Sequence, residues 1–350
     1  MNNKKVVMSS VALLVIAGIS VVMVVSFKPS PVSVSAKTLP LIQCLSALGE
    51  EAYINEPIRP IPLSLPLDNN KVALGEKLFN EPKLSHDDTI SCAYCHNLSL
   101  GGTDGKVHSL GSDGSAAEVN TPTVFNSGLN YRQFWNGRAA TLEDQIEGPT
   151  HNPSEMNSSW PEITGKLGKD PAYVSAFFKL YPDLGIHEYS IKDAIATFEC
   201  SLTTPNSRFD KFLRGDANAI NADEKQGYQL FKSYGCTSCH QGTNVGGNMY
   251  QTFGVMADYF SDRGNEVQAD LGRFNITGDE KDRHKFRVPS LRLVVLTPPY
   301  FHDGTADTLD KAIDVMAKYQ LGRTIPMADK QLIIKFLGTL PGEYKGVPLL

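Results

Sequence analysis

Tryptophan is scarce in this chain, with 2 among 350 residues, and histidine and cysteine are thinly spread at 8 and 6. Positive charge is in deficit, with 33 Lys and Arg against 38 Asp and Glu, a net of −5. A surface without a basic excess lacks the field that gathers phosphate backbones, which argues against a nucleic acid partner. Segments alternating apolar and polar residues over a strand's length are also scarce, so the chain reads as mostly α-helical. The apolar fraction is 41% and the charged fraction 20%, ordinary for a globular protein with a sizeable core.

Against that thin supply, Cys-X-X-Cys-His occurs twice, as Cys92-Ala-Tyr-Cys95-His96 and Cys236-Thr-Ser-Cys239-His240. From the composition, about 0.002 such patterns are expected by chance, so two form a strong signal for c-type haem attachment. Both thiols bond the porphyrin, and the adjoining histidine is held as proximal iron ligand. A zinc site or a reactive dithiol does not require a histidine directly after the second cysteine at both places. The expected cofactors are therefore two covalently bound haem c groups.

Lys4 and Lys5 precede an uncharged apolar run, Val6 to Phe27, long enough for a signal peptide or a membrane anchor. Val34-Ser35-Ala36 offers a cleavage site. Either outcome delivers the remainder outside the inner membrane, to the periplasm, with inner-membrane anchoring as one alternative. The two other cysteines, Cys44 and Cys200, are open to a disulfide or to a pair of buried thiols.

Residues 1–36 thus read as signal or anchor and 37–70 as an extended arm, with Pro57, Pro60, Pro62 and Pro66 close together. An internal repeat follows. Val72-Ala-Leu-Gly75-Glu-Lys-Leu-Phe79 leads into the first haem motif and Glu224-Lys-Gln-Gly227-Tyr-Gln-Leu-Phe231 into the second. The repeat predicts two cytochrome c-like haem domains, 71–204 and 205–340, with a tail at 341–350. Spacings of three and four predict further helices at Ala139–Glu147, Asp170–Tyr181, Ile191–Leu202, Leu309–Lys318 and Ala328–Leu337. Long irregular loops at 97–130 and 241–290 are expected to wrap the haems.

From Val72 to Leu340 the chain resembles the bacterial di-haem cytochrome c peroxidases. The resemblance rests on the haem motifs together with Gly101-Gly-Thr-Asp104, Thr121-Pro-Thr-Val124, Phe134-Trp-Asn-Gly-Arg138 and Pro299-Tyr-Phe-His302. It implies reduction of hydrogen peroxide to water with electrons from a small cytochrome c or cupredoxin. It implies that electrons enter at the C-terminal haem, with Met316 as second axial ligand to the iron of His240, and pass to the peroxidatic haem of His96. It maps the distal acid–base pair to Glu155 and Gln145 and an inter-haem aromatic to Trp135. It implies a calcium ion on Asn120 and on the backbone of Thr297 and Pro299, a place for His302 near the second haem, and a homodimer.

The chain departs from the family where many members carry a histidine that caps the peroxidatic iron. The matching position here is Ser112, in His108-Ser-Leu-Gly-Ser112-Asp-Gly114. The expectation is an iron already open when fully oxidised. The competing readings are a purely electron-transferring di-haem cytochrome, which would have no use for Glu155 or Gln145, and a related oxidase with tyrosine in place of the axial methionine.

Overall fold

The computed structural model describes Cys44 and residues 55–349, all within one compact unit. The run Val6–Phe27 lies outside the described residues, and no helix among the described residues is long and apolar enough to cross a membrane. The helices, in order, are α1 Asn69–Phe79, α2 Cys92–Cys95, α3 Leu142–His151, α4 Trp160–Leu167, α5 Pro171–Leu180, α6 Glu188–Ser201, α7 Arg208–Leu213, α8 Ala222–Ser233, α9 Tyr259–Arg263, α10 Phe274–Thr277, α11 Leu309–Tyr319 and α12 Met327–Leu337. Among the described residues, strands form two small antiparallel pairs, β1 Tyr250–Thr252 with β2 Lys285–Arg287 and β3 Glu343–Tyr344 with β4 Val347–Pro348. The helices α4 and α7 were not expected from the spacing. Both are short, and capping starts them: the side chains of Ser159 and Ser207 accept from the backbone N–H groups of Glu162 and Asp210.

The repeat has a direct structural meaning. Asp68 caps α1 and Asn221 caps α8, and each helix then crosses a later one, α6 in the first half and α12 in the second. At each crossing the repeated glycine meets a backbone carbonyl. A Cβ on Gly75 would stand 2.0 Å from the Ala194 oxygen, and one on Gly227 would stand 1.9 Å from that of Leu332. The flanking apolar positions fill two cores. Leu74, Leu78, Ile146, Ile163, Tyr173, Phe177 and Ile191 make the first. Phe209, Tyr228, Phe231, Ile333 and Phe336 make the second, joined by Ile58 of the arm.

The arm lies against the C-terminal half. Arg59 N–H donates to the Gly242 carbonyl and Gly242 N–H to that of Pro57. The fully buried Arg292 ties the same region together: it pairs with Asp210 at 2.7 Å and donates to the carbonyls of Arg59 and Thr243. The tail crosses the other way, with Tyr344 edge-on to Phe125 at 5.2 Å. A disulfide joins Cys44 to Cys200 near the end of α6, resolving the pairing the sequence left open.

Forcing a methyl group into either helix crossing overpacks it. Gly75→Ala and Gly227→Ala are each expected to cost about 1–3 kcal/mol, read as a lowered denaturant midpoint of the haem-loaded protein. A surface control at Gly105, where a Cβ meets nothing within 4 Å, is expected to change less, although its positive φ carries its own strain.

Candidate haem and redox site

The two attachment segments are built alike. Cys92–Cys95 forms one helical turn and Cys236–Ser238 a tighter one, and in each the histidine N–H donates back to the first cysteine's carbonyl, at 3.0 Å for His96 and 2.9 Å for His240. Each ring then turns Nδ1 to a backbone carbonyl a few residues on, Gly102 for His96 and Val245 for His240, both at 3.3 Å. That contact suits an Nδ1–H tautomer and leaves Nε2 for a metal. Burial holds both rings neutral, lowering the proton affinity of His96 and bringing His240 down to about 4. Neutral imidazole is the ligating form.

A cavity of about 480 Å³ opens at the second segment. Cys236, Cys239, His240 and Met316 line it, amid Phe231, Phe253, Leu291 and Ile313. Of the methionines after the second motif, Met256 and Met327 are exposed and Met249 is not in the lining, so Met316 is the thioether that faces this space. The apolar wall and the four donor side chains fit a haem. The fit of the first segment rests on its repeated geometry and its donor set.

Trp135, Asn120, Thr297 and Pro299 line the same cavity. The indole N–H donates to the Asn120 carbonyl at 2.9 Å. The Asn120 amide nitrogen donates to the Lys106 carbonyl at 2.8 Å, leaving its side-chain oxygen for another partner. Backbone and amide oxygens of this kind suit a hard cation. His302, edge-on to Trp135, is also in the lining and is buried.

Glu155 lies in the turn after α3 and accepts from the Asn152 side chain at 2.7 Å. Burial raises its proton affinity above the ordinary carboxyl value, opposed by Asn152 and the charge of Arg138. Its charge reaches Cys95 of the first haem segment. Gln145 is half-buried on the second turn of α3, started by Thr141, and makes no side-chain hydrogen bond to Glu155. Ser112 N–H donates to the Glu155 carbonyl at 2.8 Å, so the Ser112 loop is seated on the Glu155 turn. Nearby, Nδ1 of His108 is buried with no hydrogen-bond partner.

Sequence reasoning missed the charged group behind His302. Its Nε2 contacts Asp270 at 2.7 Å, and Arg263 binds both Asp270 and Asp303 at 2.5 Å. Burial alone would raise the Asp270 proton affinity, but hydrogen bonds from His302 and Arg263 outweigh it and hold the carboxyl well below its usual range. The available signal was Asp303, which directly follows the Pro299–His302 segment.

The geometry defines a c-type protein with two haem attachment sites, and the comparisons agree. A family profile described as di-haem cytochrome c peroxidase matches residues 69–218. The chain is 50% identical over 291 residues to cytochrome c peroxidase Ccp of Escherichia coli, covering 83% of this chain and 62% of that protein, so it spans under two thirds of that relative. It is 43% identical over 311 residues to cytochrome c551 peroxidase of Nitrosomonas europaea, covering 89% of this chain and 91% of that one. The corresponding Pseudomonas aeruginosa enzyme is 38% identical over 302 residues, with 83% and 87% covered. A solved MauG-like protein associated with microbial copper homeostasis superposes with a TM-score of 0.73 at 28% identity, over 85% of this chain and 96% of that one. The chain belongs to the di-haem cytochrome c peroxidase family.

Asp270 contributes stability that is full above the ordinary aspartate range and is lost as pH falls through its lowered folded value. Asp270→Asn is therefore expected to lower the melting temperature at neutral pH and to flatten its acid dependence below about pH 4. Calorimetry of the two proteins across that range checks both effects.

Proposed function

We propose that this chain reduces hydrogen peroxide to water with electrons from a small cytochrome c or cupredoxin, in the periplasm. Glu155 carries the reading: a half-buried carboxyl of raised proton affinity, whose charge reaches the first haem segment, suits the proton transfers that peroxide cleavage requires. When bound, the two haems supply the redox chemistry, electrons entering at the group held by His240 and Met316 and peroxide meeting the group held by His96.

The chain's own residues manage position and protons. Glu155 accepts the proton of the near peroxide oxygen and returns it to the departing one. Gln145 offers an amide donor to the developing charge. Trp135 supplies an aromatic ring between the two centres, held by its bond to the Asn120 carbonyl. Asn120, with the carbonyls of Thr297 and Pro299, would hold a calcium ion. Ser112 offers no imidazole, and its backbone is committed to the Glu155 turn, so this residue would not cap a haem iron held by His96 and would leave it accessible to peroxide. The two halves act as haem domains, 71–204 and 205–340, of a homodimer.

Glu155→Gln is expected to lower peroxide turnover by between about 10² and 10⁴-fold while both haems stay attached. The base works deprotonated, so wild-type turnover is expected to fall as pH drops through a value above the ordinary glutamate figure of about 4.3. Absorption and paramagnetic resonance spectra of the oxidised holo-protein are expected to contain a high-spin component that reacts with peroxide at once. Low-spin, six-coordinate iron alone would remove the Ser112 reading. Unchanged turnover in the Glu155 variant would remove the peroxidase assignment of that residue.

A further inference from the structure

Glu199 is a carboxylic acid in the wrong place for an ordinary surface residue. It stands on α6 and is 6% exposed, and its Oε2 is buried with no hydrogen-bond partner. Among the described residues, no cation lowers its proton affinity. Burial, and then the charge of Glu143, push its proton affinity up to about 8. Glu143 belongs to the first turn of α3, which packs on α6, and its charge reaches Glu199 from that neighbouring helix. Burial and a like charge on the neighbouring helix both favour the protonated form of Glu199.

The surroundings keep water out and put the pair beside the first haem segment. Cys44, Leu142, Ala196 and Cys200 form an apolar cluster that includes the chain neighbours of both acids, Leu142 before Glu143 and Cys200 after Glu199. The disulfide Cys44–Cys200 holds that cluster closed. On the other side Phe198 and Leu202 of α6 pack with Phe79 of α1, Val124 and Phe125, and Cys92 rests against this group. The charge of Glu199 is felt at the Cys92 thiol. The nearest ion pair on α6 itself, Asp193 with Lys71, lies six residues earlier, more than one and a half turns away. Among the described residues, Glu143 is the charged group whose field reaches Glu199, and Cys92 is the attachment point that senses Glu199.

We propose that Glu199, facing Glu143, is a redox-linked proton site for the haem attached at Cys92 and Cys95. When that haem gains one electron, the added negative charge draws one proton from solvent onto the Glu199 carboxylate. When the electron leaves, the O–H bond breaks and the proton returns to solvent. The carboxyl thus offsets the charge of each electron that passes through a dry part of the protein, where an uncompensated charge is costly.

This inference rests on a haem being attached at Cys92 and Cys95, and not on which haem meets peroxide. A preparation with both haems bound and no peroxidase activity would sink the proposed function and leave the proton site standing. The experiment is a spectroelectrochemical titration of the two-haem protein, repeated from about two pH units below to about two above the Glu199 value. In that window the reduction equilibrium of the N-terminal haem is expected to weaken towards tenfold per pH unit, which is 59 mV for a one-electron couple. In Glu199→Gln, neutral and of the same shape, that slope is expected to flatten while the C-terminal haem keeps its own pH dependence. A wild-type potential that does not change across the window, or a variant that retains the slope, overturns the proposal. Should the variant fail to fold, infrared difference spectra of the wild type decide the matter. A protonated-carboxyl band that grows on reduction of the N-terminal haem supports the site, and its absence rejects it.

Discussion

At Gly75 and Gly227 two helices approach so closely that the backbone of one lies where a side chain of the other would be. The remaining architecture depends on this contact. Each crossing anchors the helix that leads into a haem segment, and so sets where the two thiols and the histidine begin. The partner helices carry the consequences. In the first half α6 brings Glu199 and Cys200 to the same place, and in the second α12 buttresses α11, which bears Met316. The buried Lys330 of α12 reinforces that second contact by pairing with Asp310 and Asp314 of α11.

The two halves distribute charge differently around similar attachment geometry. At the second, His302, Asp270, Arg263 and Asp303 form a closed group in which each buried charge has a partner. Breaking one member of such a buried ionic group leaves another charge uncompensated, so the group holds its geometry as a unit. At the first, burial raises the proton affinity of both Glu155 and Glu199, opposed at Glu155 by Asn152 and the charge of Arg138. Groups of that kind can gain and lose protons as the chemistry requires. Trp135 lies between the motifs in sequence and in the wall of the second cavity in space, tied by Asn120 to the segment that follows the first motif.

Much of the candidate site was legible because its residues carry chemistry in their spacing. Two cysteines and a histidine in fixed order need no tertiary information to be read, and the repeated glycine announced equivalent helices before each. The helices α3, α5, α6, α11 and α12 came from apolar spacing, with ends displaced by a few residues because side-chain caps such as Thr141 and His187, rather than periodicity, set where a helix starts. Glu199 left a faint trace. It stands eight residues after Ile191 and four after Ile195, on the stripe that α6 buries, where a carboxylate is out of character.

The sequence by itself determined where haem is attached, which half each attachment belongs to and which family the chain resembles, because covalent linkage depends on residues adjacent in the chain. Tertiary structure alone decided that Cys44 meets Cys200, that Arg263 closes the ring around Asp270 and His302, and that Glu143 confronts Glu199. Those pairings join residues from 7 to 156 positions apart, and their strength comes from the exclusion of water around them. Burial is a property of the packed chain as a whole, and no local pattern of residues encodes it.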